Sequence, residues 1–572
     1  MRRAIFGLGL VPLLLATSLA NAGGVRASDE RDSRVTIGSP TDQFPRNKQN
    51  EPAVGVAIDA TNPNVLVAGS NEEIDNAPCA GSDCSFTPGI GDNGVYFSFN
   101  AGRSWVEPTY TGWSARDGNA KVGPIGTVPW FYEKGLVGDG DPALAFGPRP
   151  DKHGKFAWQN GSRLYYGSLT SDFPGTSTTG AVEAVAVART DDVHAAAAGT
   201  KSAWLPPVIA SKKLTPITFS DKDAVWADNS ASSHFFGNVY VCWTSFGATN
   251  PDGSTDSPVV LARSSDGGAT WSNPVHLVSA SSTTYTGPTA CTIRTDSTGR
   301  VYAFWDQINW PHPSQQMMAR SSDGGVTFEA PTVAANVTEV GAIDSVHVAN
   351  SDPRFTFDGI AGARTFSGLS VDIANGAPNG SDATNELVMS WSDGARGLNH
   401  EAALVQSSVD QGAHWSTATP AQQSGDRPDF PAVAISPNGT EVYLTYDAFL
   451  SPWRGDTSSS RLMQGVVRSA DVSSSGHISG FETLHRADTG DARGSSENNL
   501  CCEFLGDYNY VVATRTFGAA AWNDVRDAAV CSVMNKYRYS LSTGSPLPKP
   551  SPLKDCPPTF GNSDIFGGSY LP

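Results

Sequence analysis

The sequence predicts an all-β protein built on one repeated unit, and three observations carry that prediction. Of 572 residues, 58 are Gly and 38 are Pro, a density of chain-turning residues that favours many short strands over long helices. A strand–turn–strand unit recurs seven times. A turn signature of the form Ser-x-Asp-x-Gly-x-x-aromatic follows most of its copies.

The remaining composition narrows the class. Hydrophobic residues make up 39% and aromatics 9%, enough for a sizeable core and too much for global disorder. The length suits three or four domains or one large β architecture. With 39 Lys+Arg against 57 Asp+Glu the net charge is −18. That balance speaks against nucleic acid, which needs a basic face, and against an anionic membrane surface.

The N-terminus has the pattern of a secretory leader. Arg2 and Arg3 precede an apolar stretch from Ile5 to Leu19, and Ala20-Asn21-Ala22 is a small-x-small site. The expectation is cleavage near Ala22 and a secreted or periplasmic protein. No second apolar stretch is long enough to span a membrane, so no membrane insertion is expected. Residues 23–48 form an N-terminal segment in which Ser33 to Ile37 can supply a closing outer strand. The repeat-bearing region runs over 49–544, and 545–572 reads as a Pro-rich tail. The eight cysteines suit an oxidising compartment. Cys79 and Cys84 flank a short loop and are expected to pair; the other connectivities stay open. A zinc site is not signalled, because there is no C-x-x-C pair and His is scarce near the cysteines.

The repeat is clearest at Pro431 to Asp447, where an apolar strand, a Pro-Asn-Gly turn and a second strand ending in Tyr446-Asp447 follow one another. Other copies run from Gly287 to Asp306 and from Asp221 to Trp243. Looser ones run from Glu51 to Val67, Asp141 to Trp158, Gly368 to Trp391 and Gly506 to Trp522. The turn signature is complete in Ser264, Asp266, Gly268 and Trp271, in Ser321, Asp323, Gly325 and Phe328, and in Ser408, Asp410, Gly412 and Trp415. Ser98, Asn100, Gly102 and Trp105 form a variant with Asn for Asp, and Ser469-Ala-Asp471 begins a degenerate copy. In each, the Asp side chain caps turn amides, Gly takes the positive-φ position and the aromatic packs beneath.

These turns resemble the Asp boxes of sialidase-type β-propellers, and the chain resembles the bacterial secreted proteins that carry BNR repeats of the sialidase superfamily. The resemblance implies a single β-propeller. Seven repeats make seven four-stranded blades, with six as the alternative because sialidases proper resemble six-bladed propellers. It also implies that Asp266, Asp323 and Asp410 are structural and lie on the face away from the ligand.

In such an array the ligand face carries residues just before the first strand and just after the second strand of each blade. Those positions hold Glu51, Asp141, Arg364, Arg427 and Tyr508 on one side, and Asp306, Arg396, Asp447, Asp524 and Arg526 on the other. Sialidases hold a substrate carboxylate with arginines, attack with a Tyr activated by a Glu and protonate the leaving group with an Asp. Arginine suits bidentate carboxylate recognition, and a phenol needs a carboxylate base to become a nucleophile. The resemblance therefore implies Tyr508, Glu503, Glu51 and Asp141 as catalytic candidates. It implies Arg364, Arg396, Arg427, Arg526, Asp306, Asp447 and Asp524 as substrate-binding ones. The expected function is hydrolysis of a terminal anionic sugar on a glycan. The alternatives are a non-catalytic propeller that binds glycans or proteins, and a propeller polysaccharide lyase. The sialidase signature Phe/Tyr-Arg-Ile-Pro is absent, as are G-x-S-x-G, H-E-x-x-H and P-loop motifs. No cofactor is required by this reading. Calcium at an Asp-rich loop stays possible without assignable ligands, and the expected state is a monomer.

Overall fold

Strands that are apolar on both faces belong in sheets covered on both sides, and the second strand of each repeat is of that kind. Val239–Phe246, Leu387–Asp393 and Gly518–Asp524 are buried along nearly their whole length. Each therefore needs a neighbouring sheet on either face, and a stack of such sheets leaves no open end only if it closes into a ring.

The computed structural model describes residues 32–37, 42–50, 56–79, 81–82, 84, 87–111, 124–173, 183–211, 219–247, 254–278, 281–282, 286–349, 354–478 and 480–572. The leader, its expected cleavage site and Glu51 lie outside these residues. The described part is a β-propeller, nearly all antiparallel strand with a few short helices. Its large sheets follow one another along the chain. The first contains Val56–Ile58, Leu66–Glu72 and Asn93–Ser98. The second runs Ala143–Pro150, Phe156–Asp172, Glu183–Thr190 and Trp204–Ile209. The third runs Phe219–Ala227, Val239–Phe246, Val259–Ser264 and Val275–Val278. The fourth runs Thr286–Thr295, Val301–Asn309, Ser314–Ser321 and Thr332–Val337. The fifth runs Ser370–Ile373, Leu387–Asp393, Ala402–Ser408 and Thr419–Pro420. The sixth runs Arg427–Ile435, Glu441–Phe449, Leu462–Asp471 and Glu482–Arg486. The seventh joins Tyr510–Ala513, Gly518–Asp524 and Asp564–Tyr570 to Ser33–Arg34.

The first strand of each sheet packs against the first strand of the next, and that of the seventh returns to that of the first. The core lies between sheets. Trp243, Trp305, Trp391 and Trp522 stand near the ends of four second strands, each no more than 2% exposed. Between the sixth and seventh sheets Trp522 packs with Ala432, Tyr443, Val511 and Phe566. Between the seventh and first sheets Tyr510 and Ile565 pack with Val56, Leu66 and Tyr96. The two ends of the chain meet in one sheet, with Ser33 opposite Gly567 and Arg34 opposite Phe566.

This places part of the C-terminal segment differently from the sequence expectation. Asp564–Tyr570 is an interior strand of the seventh sheet rather than a tail. The Pro-rich stretch before it masks a short strand whose Gly567 and Gly568 lower its β propensity. Between the second and third strands of that sheet the chain makes a helix, Ser532–Ser542, and the Cys531–Cys556 disulfide. Cys79–Cys84, Cys242–Cys291 and Cys501–Cys502 are the other disulfides among the described residues.

The Ser-x-Asp-x-Gly-x-x-aromatic turns sit between third and fourth strands. Asp323 Oδ1 accepts the amides of Val326 and Thr327 and the Ser321 hydroxyl, and Oδ2 accepts the Thr327 hydroxyl. Asp266 and Asp410 make corresponding bonds. Gly325 has φ +80°, and a Cβ there would stand 3.0 Å from the Tyr240 ring of the preceding sheet, so the turn is both a cap and a close contact between sheets. Gly102 of the first sheet lies in the same way against Gly568 and Ser569 of the seventh.

Partial burial opposes the charge of Asp323, but the Thr327 hydroxyl and amide, Ser321 and the Val326 amide outweigh it and lower its pKa to about 2. Asp323→Ala should destabilise the fold by about 0.5–2 kcal/mol, as loss of a capping side chain does. The difference, read from urea unfolding, should be full at neutral pH and fade as pH falls from the ordinary carboxylate value towards about 2. Activity per folded molecule should not change.

Candidate functional site at the channel mouth

The innermost strands share a local irregularity. Register shifts between Asp221 and Ala224, between Thr289 and Cys291, and between Asp429 and Ala432. The inserted residues Lys222, Ala290 and Phe430 have φ of +57°, +50° and +47°. Asp141, with φ +49°, stands just ahead of the first strand of the second sheet. A bulge re-aims a side chain, and a non-glycine residue held at positive φ marks strain that the surroundings must impose. Lys222, Ala290 and Phe430 line one recess at the mouth of the channel, together with Asp223, Asp306, Asp507 and Tyr508.

Asp507 is the electrostatic centre of this recess. It accepts Arg364 Nε at 2.9 Å and Nη2 at 2.7 Å, and Lys222 Nζ at 2.5 Å. Burial opposes its charge, but Arg364 and Lys222 prevail and hold the carboxyl well below the usual range. Burial likewise opposes the Lys222 charge, and Asp221 and Asp507 hold it well above the ordinary lysine value. Asp221, 3.7 Å from Lys222, is pushed up by burial to about 6 despite that neighbour.

Two uncommitted groups face this ion cluster. Asp223 is 5% exposed, and neither carboxyl oxygen has a hydrogen-bond partner among the described residues. Burial, with Asp141 and Asp221 nearby, pushes its pKa well up and favours the neutral acid. The Tyr508 hydroxyl is also buried without a partner. Its ring lies 5.3 Å from Lys222 Nζ and meets Phe366 edge-on at 6.2 Å. Burial raises the phenol well above its ordinary value, against the pull of Lys222. Asp306, 4% exposed, lines the same recess and is pushed well up by burial.

The floor is Arg294. It donates to Asp372 at 3.1 Å and to the Tyr510 hydroxyl at 2.9 Å, and stacks on Trp226 at 4.5 Å. Arg294 and Tyr510 also line a second, roomier recess that opens beside the first-to-second-strand turns.

Of the residues singled out from sequence, Tyr508, Arg364 and Asp306 meet at this mouth, and the charge of Asp141 acts on Lys222, Asp223 and Tyr508. The others are placed elsewhere. Glu503 is fully buried and bound to Arg461 Nη1 at 2.8 Å, so it is not the partner of Tyr508. Arg427 is held by Glu401 at 2.8 and 2.9 Å and by the carbonyls of Ser451 and Phe357. Arg526 binds Asp524 and Asp32 and stacks over Phe566 at 3.9 Å, on the third strand of its sheet. Arg396 is exposed. Asp447 is buried opposite Asp429 in the sixth sheet. Arg396, Arg427 and Arg526 are thus absent from the recess that Tyr508 lines, whose cations are Lys222 and Arg294, with Arg364 behind Asp507. Strand position did not give the burial of Arg427, whose guanidinium is engaged by the carbonyls of Phe357 and Ser451. Asp223 and Arg294 were the missed residues. Their signal was a charge next to apolar residues of a first strand, Asp223 ahead of Ala224-Val225-Trp226 and Arg294 after Ile293.

No protein-family model and no curated protein sequence matches the chain. Among solved structures it is similar to a Hadza microbial sialidase, at 13% identity and a TM-score of 0.36, over 66% of this chain and 63% of that one. It is similar to the NanB sialidase from Streptococcus pneumoniae at 10% identity and a TM-score of 0.35, over 67% of this chain and 64% of that one. The match therefore spans less than two thirds of either sialidase. An ulvan lyase, titled a new family of polysaccharide lyase, is matched at 12% identity and a TM-score of 0.39, over 86% of this chain and 93% of that one. These neighbours are glycan-acting enzymes. Among the described residues, no helix is long and apolar enough to cross a membrane.

Glu503→Ala would take the nearest carboxylate from the fully buried Arg461 and leave it only Asp358 at 3.7 Å. It should cost about 3–5 kcal/mol in denaturant unfolding while leaving the pH profile of any turnover by the folded fraction unchanged. A shifted profile at full stability would instead make Glu503 part of the chemistry.

Proposed function

We propose that this chain is a secreted seven-bladed propeller enzyme, a glycoside hydrolase that removes a terminal anionic sugar at the mouth described above. Asp223 carries the reading. It is a partnerless carboxyl kept neutral by burial, in a recess whose other carboxylate, Asp507, is held ionised by two cations. Cleavage of a glycosidic bond needs such a split, with one carboxyl still carrying its proton at neutral pH and another charged. In this reading Asp223 gives its proton to the leaving oxygen, and Asp141 is the carboxylate that activates water or stabilises the developing positive charge. Lys222, which lines the recess, holds the sugar carboxylate. The four disulfides support a secreted protein.

A second reading has its own support. The free Tyr508 hydroxyl beneath Lys222 suits elimination, in which the phenol exchanges the proton α to a uronate carboxylate while cations neutralise that carboxylate. Incubation with a panel of sialosides and uronic-acid glycans separates the two by product mass. A hydrolysed sugar supports the first reading and an unsaturated one the second. Absence of any product with measurable binding leaves a binding propeller.

On a cleaved substrate, Asp223→Asn should lower kcat by at least about 10²-fold, and Tyr508→Phe much less if hydrolysis runs through Asp223. The reverse order makes Tyr508 the reacting group. Asp221 is neutral below about pH 6 and charged above it, so the mouth is more positive on the acid side. Affinity for an anionic sugar should therefore fall as pH rises through that value, and affinity for a neutral analogue should not follow.

A further inference from the structure

Away from the mouth, two segments bring together an unusual set of side chains. Asp344, His347 and Cys502 offer ligand atoms that all lie within 4.8 Å of one another, and so do Glu497, Cys501 and Cys502. Asp344, His347, Cys501 and Cys502 are at most 4% exposed. His347 Nε2 lies 3.3 Å from the carbonyl of Gly362. A donor bond there fixes the tautomer and leaves Nδ1 as a lone pair, which is how metal-bound imidazoles are oriented. Glu497 Oε2 lies 3.2 Å from Cys501 Sγ, a contact between two acceptors once the cysteines are joined as Cys501–Cys502. A carboxylate against sulfur calls for a proton or a cation between them.

We propose that the dithiol form of this pair is a zinc site, with Cys501, Cys502 and His347 as ligands and Asp344 or Glu497 as the fourth. Two soft sulfurs, an imidazole nitrogen and a carboxylate oxygen match the donor preference and coordination number of Zn²⁺. Opening the disulfide takes two electrons and two protons from a small dithiol reductant, which becomes its own disulfide. Binding Zn²⁺ then releases the two thiol protons. Arg538 donates to the Cys502 carbonyl at 2.8 Å and places a positive charge beside the anionic centre. The ion would tie residues 344–347 to 497–502, and these two segments lead into Arg364 and Asp507. Its role is to hold the mouth, not to react.

The test uses the full chain, reduced mildly under anaerobic conditions, with thiols counted and Co²⁺ added as an optical stand-in. The expected result is a thiolate-to-cobalt charge-transfer band with tetrahedral d–d bands, displaced by Zn²⁺ at one equivalent. Zn²⁺ should also protect Cys501 and Cys502 from alkylation, mapped by peptide mass, while thiols released from the other pairs stay reactive. Cys501→Ser with Cys502→Ser should remove the band, and His347→Ala should weaken metal binding by at least tenfold. No band when both thiols are free overturns the proposal, as does a band that survives in the double variant. If that variant fails to fold, the alkylation map of the natural chain decides: protection of both cysteines supports the site and its absence overturns it.

Discussion

The structure depends on a requirement of its own strands, which are apolar on both faces and must be covered on both. One sheet covers the next, and the seventh must find the first. The closing sheet meets this with main-chain pairing between Ser33–Arg34 and Asp564–Tyr570. Its packing interface then joins Tyr510 and Ile565 to Val56 and Tyr96. The turns lock the same seam, since Gly102 lies on Gly568 and the Ser33 hydroxyl donates to the Gly102 carbonyl at 3.0 Å. Because N- and C-terminal strands share a sheet, opening the ring at this point exposes two apolar faces and frees both chain ends together.

Closure also decides where chemistry is possible. Arg294, held by Asp372 and Tyr510, plugs the floor of the recess between the inner strands. Above that plug the inner strands bulge, and the bulges turn Lys222 and Phe430 to the axis. The positive-φ strain at Lys222 is retained because Asp507 and Asp221 grip its ammonium. Removing those carboxylates would free the backbone as well as the charge.

Much of this architecture was legible in the sequence, and the reason is periodicity. Turn residues at fixed offsets and aromatic residues ending the second strands recur independently of what they bind, so repetition amplifies a weak local signal. The site was legible only in part, because a site is a break in the repeat. Tyr508 and Arg364 stand out as polar residues at a repeat position. Arg427 stands out equally, yet it is taken up by Glu401 and two carbonyls from segments that have no counterpart in the repeat. The same holds for Glu503 with Arg461. Which partner a buried charge finds depends on insertions whose path sequence alone does not give. Asp564–Tyr570 was obscured for a related reason: its strand is short, glycine-containing and preceded by prolines, so local propensity opposed what the sheet imposes.

The buried ions sort by what they can still do. Arg427–Glu401 and Arg461–Glu503 are closed pairs whose remaining donors go largely to carbonyls. Such a pair fixes geometry, because each charge is already engaged by its partner. Asp507 is different. It satisfies two cations at once, leaving the Lys222–Asp507–Arg364 cluster with one positive charge in excess, beside a neutral Asp223 and a phenol without a partner. In an apolar wall such unsatisfied groups cost free energy in the empty protein. A ligand that meets them recovers that cost on binding. The channel mouth thus gathers several unsatisfied polar groups, Asp223, Asp306 and Tyr508, around one recess, and that concentration, more than any single residue, sets it apart from the ion pairs around it.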